Sequence, residues 1–83
     1  MNEEIEVRVW ERWFTKNGRI KSLQISGKFG MKPTDVGHFA YRGGKLKRID
    51  RYRDCPRPLF DAMFKCAQNE FAYWKNKINN PQI

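Results

Sequence analysis

The chain has 83 residues and a mass of 10.0 kDa, room for one domain with one compact core and not for a large cofactor-binding architecture. No apolar run approaches the roughly 20 residues needed to cross a bilayer. Seventeen Lys/Arg against nine Asp/Glu give a net charge of +8 and a pI near 9.9, the electrostatic footprint of a protein that binds a polyanion.

The start, Met1-Asn2-Glu3-Glu4-Ile5-Glu6, is acidic and lacks the apolar stretch of a secretory signal, so the expectation is a soluble, cytoplasmic protein. Residues 5 to 14 alternate and are rich in β-branched and aromatic side chains, and residues 19 to 26 alternate again after Lys16-Asn17-Gly18. A hairpin over residues 5–26 follows. A two-residue Asn-Gly loop would mix apolar and polar side chains on both faces. A three-residue loop closing Thr15 to Arg19, with Gly18 left-handed, pairs Val9 with Ile25 and sorts them better. In that register Ile5, Val7, Val9, Trp13, Leu23 and Ile25 share the buried face, with Glu11 as a misfit among them. Arg8, Trp10, Arg12 and Phe14 then line the other face.

Residues 27–37 contain Gly27, Gly30, Pro33 and Gly37 and read as a loop. A second, basic hairpin over residues 38–53 turns at Gly43-Gly44, a dipeptide suited to a type I′ turn. It places Phe39, Tyr41, Leu46 and Tyr52 on one face and Arg42, Lys45, Lys47, Arg51 and Arg53 on the other. Arg48 and Asp50 interrupt the apolar side. Between residues 42 and 57, seven Lys/Arg stand against two Asp.

A helix over residues 58–79 closes the chain. Pro56 and Pro58 suit its entrance, Asp54 its cap and Asp61 its first turn. Phe60, Phe64, Ala67, Phe71, Trp74 and Ile78 form an apolar seam, widened by Leu59 and Met63. At 1.5 Å per residue the helix reaches about 32 Å, enough to lie across a sheet. The predicted architecture is α+β: a small antiparallel sheet of two hairpins, covered on one face by the C-terminal helix.

Signals for catalysis and metal binding are weak. Cys55, His38 and Asp35 could be assembled into a thiol site, but any chain of this size offers such a trio by chance, and both cysteines read as reduced thiols. A structural zinc site needs four Cys/His ligands, and the chain holds one histidine and two cysteines. Gly27-Lys28-Phe29-Gly30 lacks the Gly-Lys-Ser/Thr that grips phosphate and magnesium. Nothing points to a cofactor, a membrane or a small-molecule substrate.

Basic side chains 45, 47, 51 and 53 would project from one strand face at about 6.7 Å steps, suiting a phosphate backbone. Alternating cations and rings at Arg8, Trp10, Arg12 and Phe14 could hold phosphates and stack bases. The sequence therefore predicts a non-enzymatic protein binding nucleic acid, single-stranded DNA or RNA in preference, since the one long helix is committed to the core. The alternative is an inhibitor or adaptor of the kind viruses and mobile elements encode, docking its basic face on the acidic surface of a nucleic-acid-processing enzyme.

Overall fold

The computed structural model describes residues 4–51 and 55–79, with side chains to Lys77. The element order is β1 (Ile5–Phe14), β2 (Ile20–Phe29), β3 (Asp35–Arg42), β4 (Lys45–Arg48) and α1 (Arg57–Asn79). The strands form one antiparallel sheet in the order β1-β2-β3-β4, and α1 packs across one face. The expected α+β fold is the one observed.

Both turns take the expected chemistry. Thr15 N–H donates to Arg19 O at 2.8 Å, Gly18 N–H donates to Thr15 O at 3.0 Å, and Gly18 has φ +83°. Gly43 and Gly44 have φ +61° and +81°, the pair of positive values a type I′ turn demands.

Val9 pairs with Ile25 as expected, but the register does not hold to the end of β1. A shift between Val9 and Glu11 leaves Trp10 as an extra residue, and a second shift before Phe14 leaves Lys21 as the extra residue of β2. Between the shifts Glu11 faces Gln24, Arg12 faces Leu23 and Trp13 faces Ser22. Residues opposite one another share a face, so the bulge removes Glu11 from the side under the helix. Arg12 takes its place, and Trp13 moves to the open side. The expected burial of Trp13 beside Val9 is thereby corrected.

The segment expected as a loop over 27–37 is shorter than that. β2 runs on to Phe29 and β3 begins at Asp35, so Gly27 and Gly37 are strand residues facing the helix. A Cβ on Gly27 would stand 2.7 Å from Met63 Sδ and 2.9 Å from Leu59 Cδ1, and one on Gly37 would stand 2.8 Å from Arg48 Cζ. Glycine here permits close packing of helix on sheet. At the other end, β4 stops at Arg48 instead of running to residue 53.

The core is Leu23, Ile25 and Phe39 from the sheet against Leu59, Met63, Ala67 and Phe71 from α1. Leu59 and Met63 are thus the centre of the helical seam, with Phe64 half-buried beside it and both Phe60 and Phe64 in ring contact with Phe39. Because α1 begins at Arg57, its first turn carries no acid. Asp61 lies one turn in and pairs with Arg57 at 3.1 Å. Asp54, Tyr52, Arg53 and the side chain of Ile78 lie outside the described residues.

The Gly27→Ala variant should lose about 1–3 kcal/mol of stability, because Met63 and Leu59 must move to admit the methyl group. Urea unfolding measures this, and an unchanged midpoint would mean that helix and strand are not held that closely.

Candidate functional site

The side of the sheet away from α1 is open. From the register it carries Arg8, Glu11, Trp13, Ser22, Gln24, Ser26, Val36, His38, Ala40, Arg42, Lys45 and Lys47. One row crosses all four strands as Trp13, Ser22, Ala40 and Lys47. Ser22 and Ala40, small and buried, form a floor between the ring at one edge and the cation at the other. Trp13 packs on the His38 ring at 5.1 Å between centroids, tilted by 38°. His38 Nε2 is buried without a hydrogen-bond partner.

The predicted basic stripe is present in part. Arg42 pairs with Lys45 beside the Gly43-Gly44 turn, Lys47 lies opposite Ala40, and all three are exposed. Arg51 is exposed but follows the end of β4, so it is not in the strand's alternation, and Arg53 lies outside the described residues. Arg42, Lys45, Lys47 and Arg51 make no ion pair among the described residues.

The predicted ring-and-cation stripe on β1 is divided by the bulge. Arg8, opposite Ser26, keeps its place on the open face, and Trp10 is 60% exposed at the bulge itself. Arg12 and Phe14 go to the helix side. Arg12 Nε donates to Glu70 Oε1 at 2.6 Å, and the guanidinium lies 5.9 Å from the Trp74 ring centroid. Trp74 Nε1–H donates to the same Glu70 oxygen at 2.9 Å. Phe14 meets Trp74 edge to face at 5.0 Å. Burial pushes the Glu70 carboxyl up, and the bonds from Arg12 and Trp74 more than offset this, leaving it below its ordinary value. These residues clamp the first hairpin to the helix and are committed to structure.

Arg48, the interruption in the apolar alternation, anchors the far end. Its side chain is 1% exposed. It donates to both carboxylate oxygens of Asp35 at 3.0 Å, and to Asp50 at 2.8 and 3.1 Å. Asp50 also accepts from the His38 backbone N–H at 2.9 Å. Burial opposes the Arg48 charge, but the bonds to Asp50 and Asp35 outweigh it and raise its pKa above the ordinary value. Burial would raise the Asp50 carboxyl, and the Arg48 and His38 bonds instead hold it low.

The residues of the candidate thiol site are not brought into a catalytic arrangement. Asp35 is gripped by Arg48 on the helix side, whereas the His38 ring lies on the open side against Trp13. Burial pushes the Cys55 thiol up, and the Asp35 carboxylate pushes it further. Burial and Glu70 do the same to Cys66. Both stay protonated near neutral pH, unlike a poised nucleophile. Among the described residues no group of three or more His, Cys, Asp or Glu could hold a metal ion, and no helix is long and apolar enough to cross a membrane.

The turn after β1 and the turn after β3 lie at the same end of the sheet, since Phe14 pairs with Ile20, Ser22 with Ala40 and Arg42 with Lys45. That end gathers Lys16, Arg19, Lys21, Arg42, Lys45 and, from the helix, Lys75. Glu4, Glu6 and Asp35 are at the opposite end, together with Lys28 and Lys32. The acidic start and the basic segment 42–57 were visible in the sequence, but Trp13 beside His38 was not, because it follows from the bulge and the register. The Glu11 misfit was the visible trace.

Compared with known proteins, the chain matches no family model, no curated protein and no solved structure.

Replacing Asp50 by Asn should change how stability depends on pH. A carboxyl held below its unfolded value of about 4 stabilises the fold above that pH, and the contribution is lost as pH falls through the lower folded value. Asp50→Asn should therefore be less stable than the parent by about 1–3 kcal/mol at pH 7, with the gap closing below about pH 4. Thermal unfolding across pH 2–7 measures this, and a gap independent of pH would contradict the assigned role of Asp50.

Proposed function

We propose that the protein is a non-enzymatic binder of single-stranded nucleic acid, DNA or RNA, using the open face of its sheet. The observation that carries this reading is the set of exposed cations, Arg8, Arg42, Lys45 and Lys47, that share the open face with Trp13 and make no ion pair among the described residues. Unpaired cations at a common face are what phosphate contacts require, since each releases condensed counterions on binding. The broad faces of Trp13 and His38 offer stacking surface between them. The floor of Ser22, Ser26 and Ala40 lets a flat ligand approach the sheet. The helix has its apolar side in the core, which leaves the sheet as the reading surface.

A second reading, docking on the acidic surface of a protein, is favoured by Trp10. An indole 60% exposed on edge strand β1 resembles an interface anchor more than a backbone contact.

The double variant Arg42→Glu/Lys47→Glu decides between them. In fluorescence anisotropy with random-sequence single strands it should bind at least tenfold more weakly than the parent, whatever the sequence. Its log K against log salt should flatten by about 0.7 for each phosphate contact removed. If the parent protein binds neither single strands nor duplex at low salt, the nucleic-acid reading fails and the protein-docking reading takes its place.

A further inference from the structure

We propose that the groove between α1 and the end of β3 seats one nucleotide of a bound single strand, base against Tyr41 and phosphate among Arg19, Lys21 and Lys75. The proposal rests on the nucleic-acid reading above and adds a second contact on the helix side of the sheet. The groove has a volume of about 730 Å³, within the range of sites that hold small ligands. It exists because α1 crosses the sheet obliquely. The N-terminal half of α1 meets β3 through Phe60 and Phe64 on Phe39, and its C-terminal half meets β1 through Glu70 and Trp74. Beyond the contact of Phe71 with Tyr41, the end of β3 is left overhanging.

The lining suits a planar anion. Arg19, Lys21 and Lys75 supply three cations and no carboxylate opposes them. Lys21 is the residue made extra by the second register shift. Tyr41 is 50% exposed and is braced perpendicular to Phe71, with 5.1 Å between centroids. A ring fixed by an aromatic neighbour and half exposed is a platform for a base. Gln68 adds an amide that can both donate and accept. Tyr41 and Arg42 are successive residues on opposite faces of β3. A strand held by Arg42 and Lys45 on the open side therefore reaches the groove by passing around the Gly43-Gly44 turn. The ligand must be unpaired, because a base within a duplex has both faces covered.

Photo-crosslinking of a single strand carrying 4-thiouridine, mapped by mass spectrometry, tests this. The expected result is crosslinks at Tyr41 or Phe71. Ala72→Trp, which fills the groove at an exposed position without changing charge, should lower those crosslinks and weaken oligonucleotide affinity about fivefold or more. Lys75→Glu should act in the same direction and serves if the tryptophan disturbs the fold, which circular dichroism reports. Crosslinks confined to Trp13, with Ala72→Trp and Lys75→Glu binding like the parent, would overturn the groove and leave the nucleic-acid reading standing. Absence of binding to any oligonucleotide would overturn both. Uridine monophosphate bound by the parent and released by Ala72→Trp, with no strand bound, would overturn the strand as occupant in favour of a free nucleotide.

Discussion

Because side chains alternate across a strand, the extra residue at Trp10 exchanges the two faces of β1 from Glu11 to Phe14, while the second shift places its extra residue, Lys21, in β2. The rest of the molecule follows from that exchange. Without it Glu11 would point into the space that α1 fills, and an unpaired carboxylate there costs several kcal/mol of desolvation. With it Arg12 points there instead, long enough to carry its charge out to Glu70 while its stem lies along the apolar surface. Trp13 is delivered to the open face, and Phe14, like Arg12, to the helix side, where it meets Trp74. A bulge on an edge strand also discourages pairing with another sheet, which suits a long edge that would otherwise offer a row of free backbone groups.

The second constraint is the close approach of α1 at Gly27 and Gly37. It brings Met63 onto the backbone of β2 and β3, and the helix runs at a slant, its N-terminal half on Phe39 of β3 and its C-terminal half on β1 and, through Phe71, on Tyr41. Arg48 fills the corner this leaves. Burying a guanidinium is unfavourable unless its donors are used, and here Asp35, Asp50 and the Val36 carbonyl accept from it. The same Asp50 holds the His38 backbone as the chain leaves β4. The overhanging groove at the other end of β3 is the geometric complement of this tilt.

Much of the fold was legible in the sequence, and for identifiable reasons. Turn chemistry at Gly18 and Gly43-Gly44, strand alternation and the helical seam are local signals, and each element they announced is present, although β2 runs on to Phe29, β3 begins at Asp35 and β4 stops at Arg48. What was not legible is non-local. Gly27 and Gly37 look like loop punctuation until Met63 is known to pack on them. Arg48 looks like a flaw in a pattern until Asp35, thirteen residues earlier, is known to face it. The candidate site suffered most. A stripe drawn through Arg8, Trp10, Arg12 and Phe14 assumed unbroken alternation, and a single inserted residue sent two of the four to the other side. The short stripe of Arg42, Lys45 and Lys47 kept its geometry because a two-residue turn fixes its register directly.

Concentrating cations at one end of a small protein has an energetic consequence of its own. Like charges within a Debye length, about 8–10 Å at ordinary ionic strength, repel one another and oppose the compact state. Nothing in the core requires Arg42, Lys45, Lys47 or Lys75 to be where they are, whereas Arg12 and Arg48 carry structural bonds. The basic residues thus separate into two groups: those whose charge is used within the fold, and those whose charge opposes it and has no ion-pair partner among the described residues. An anion at the cationic end would relieve the repulsion and, by binding the folded state alone, draw the equilibrium toward it. Salt would act in two opposite senses, easing the repulsion in the free protein while weakening the hold on any such anion.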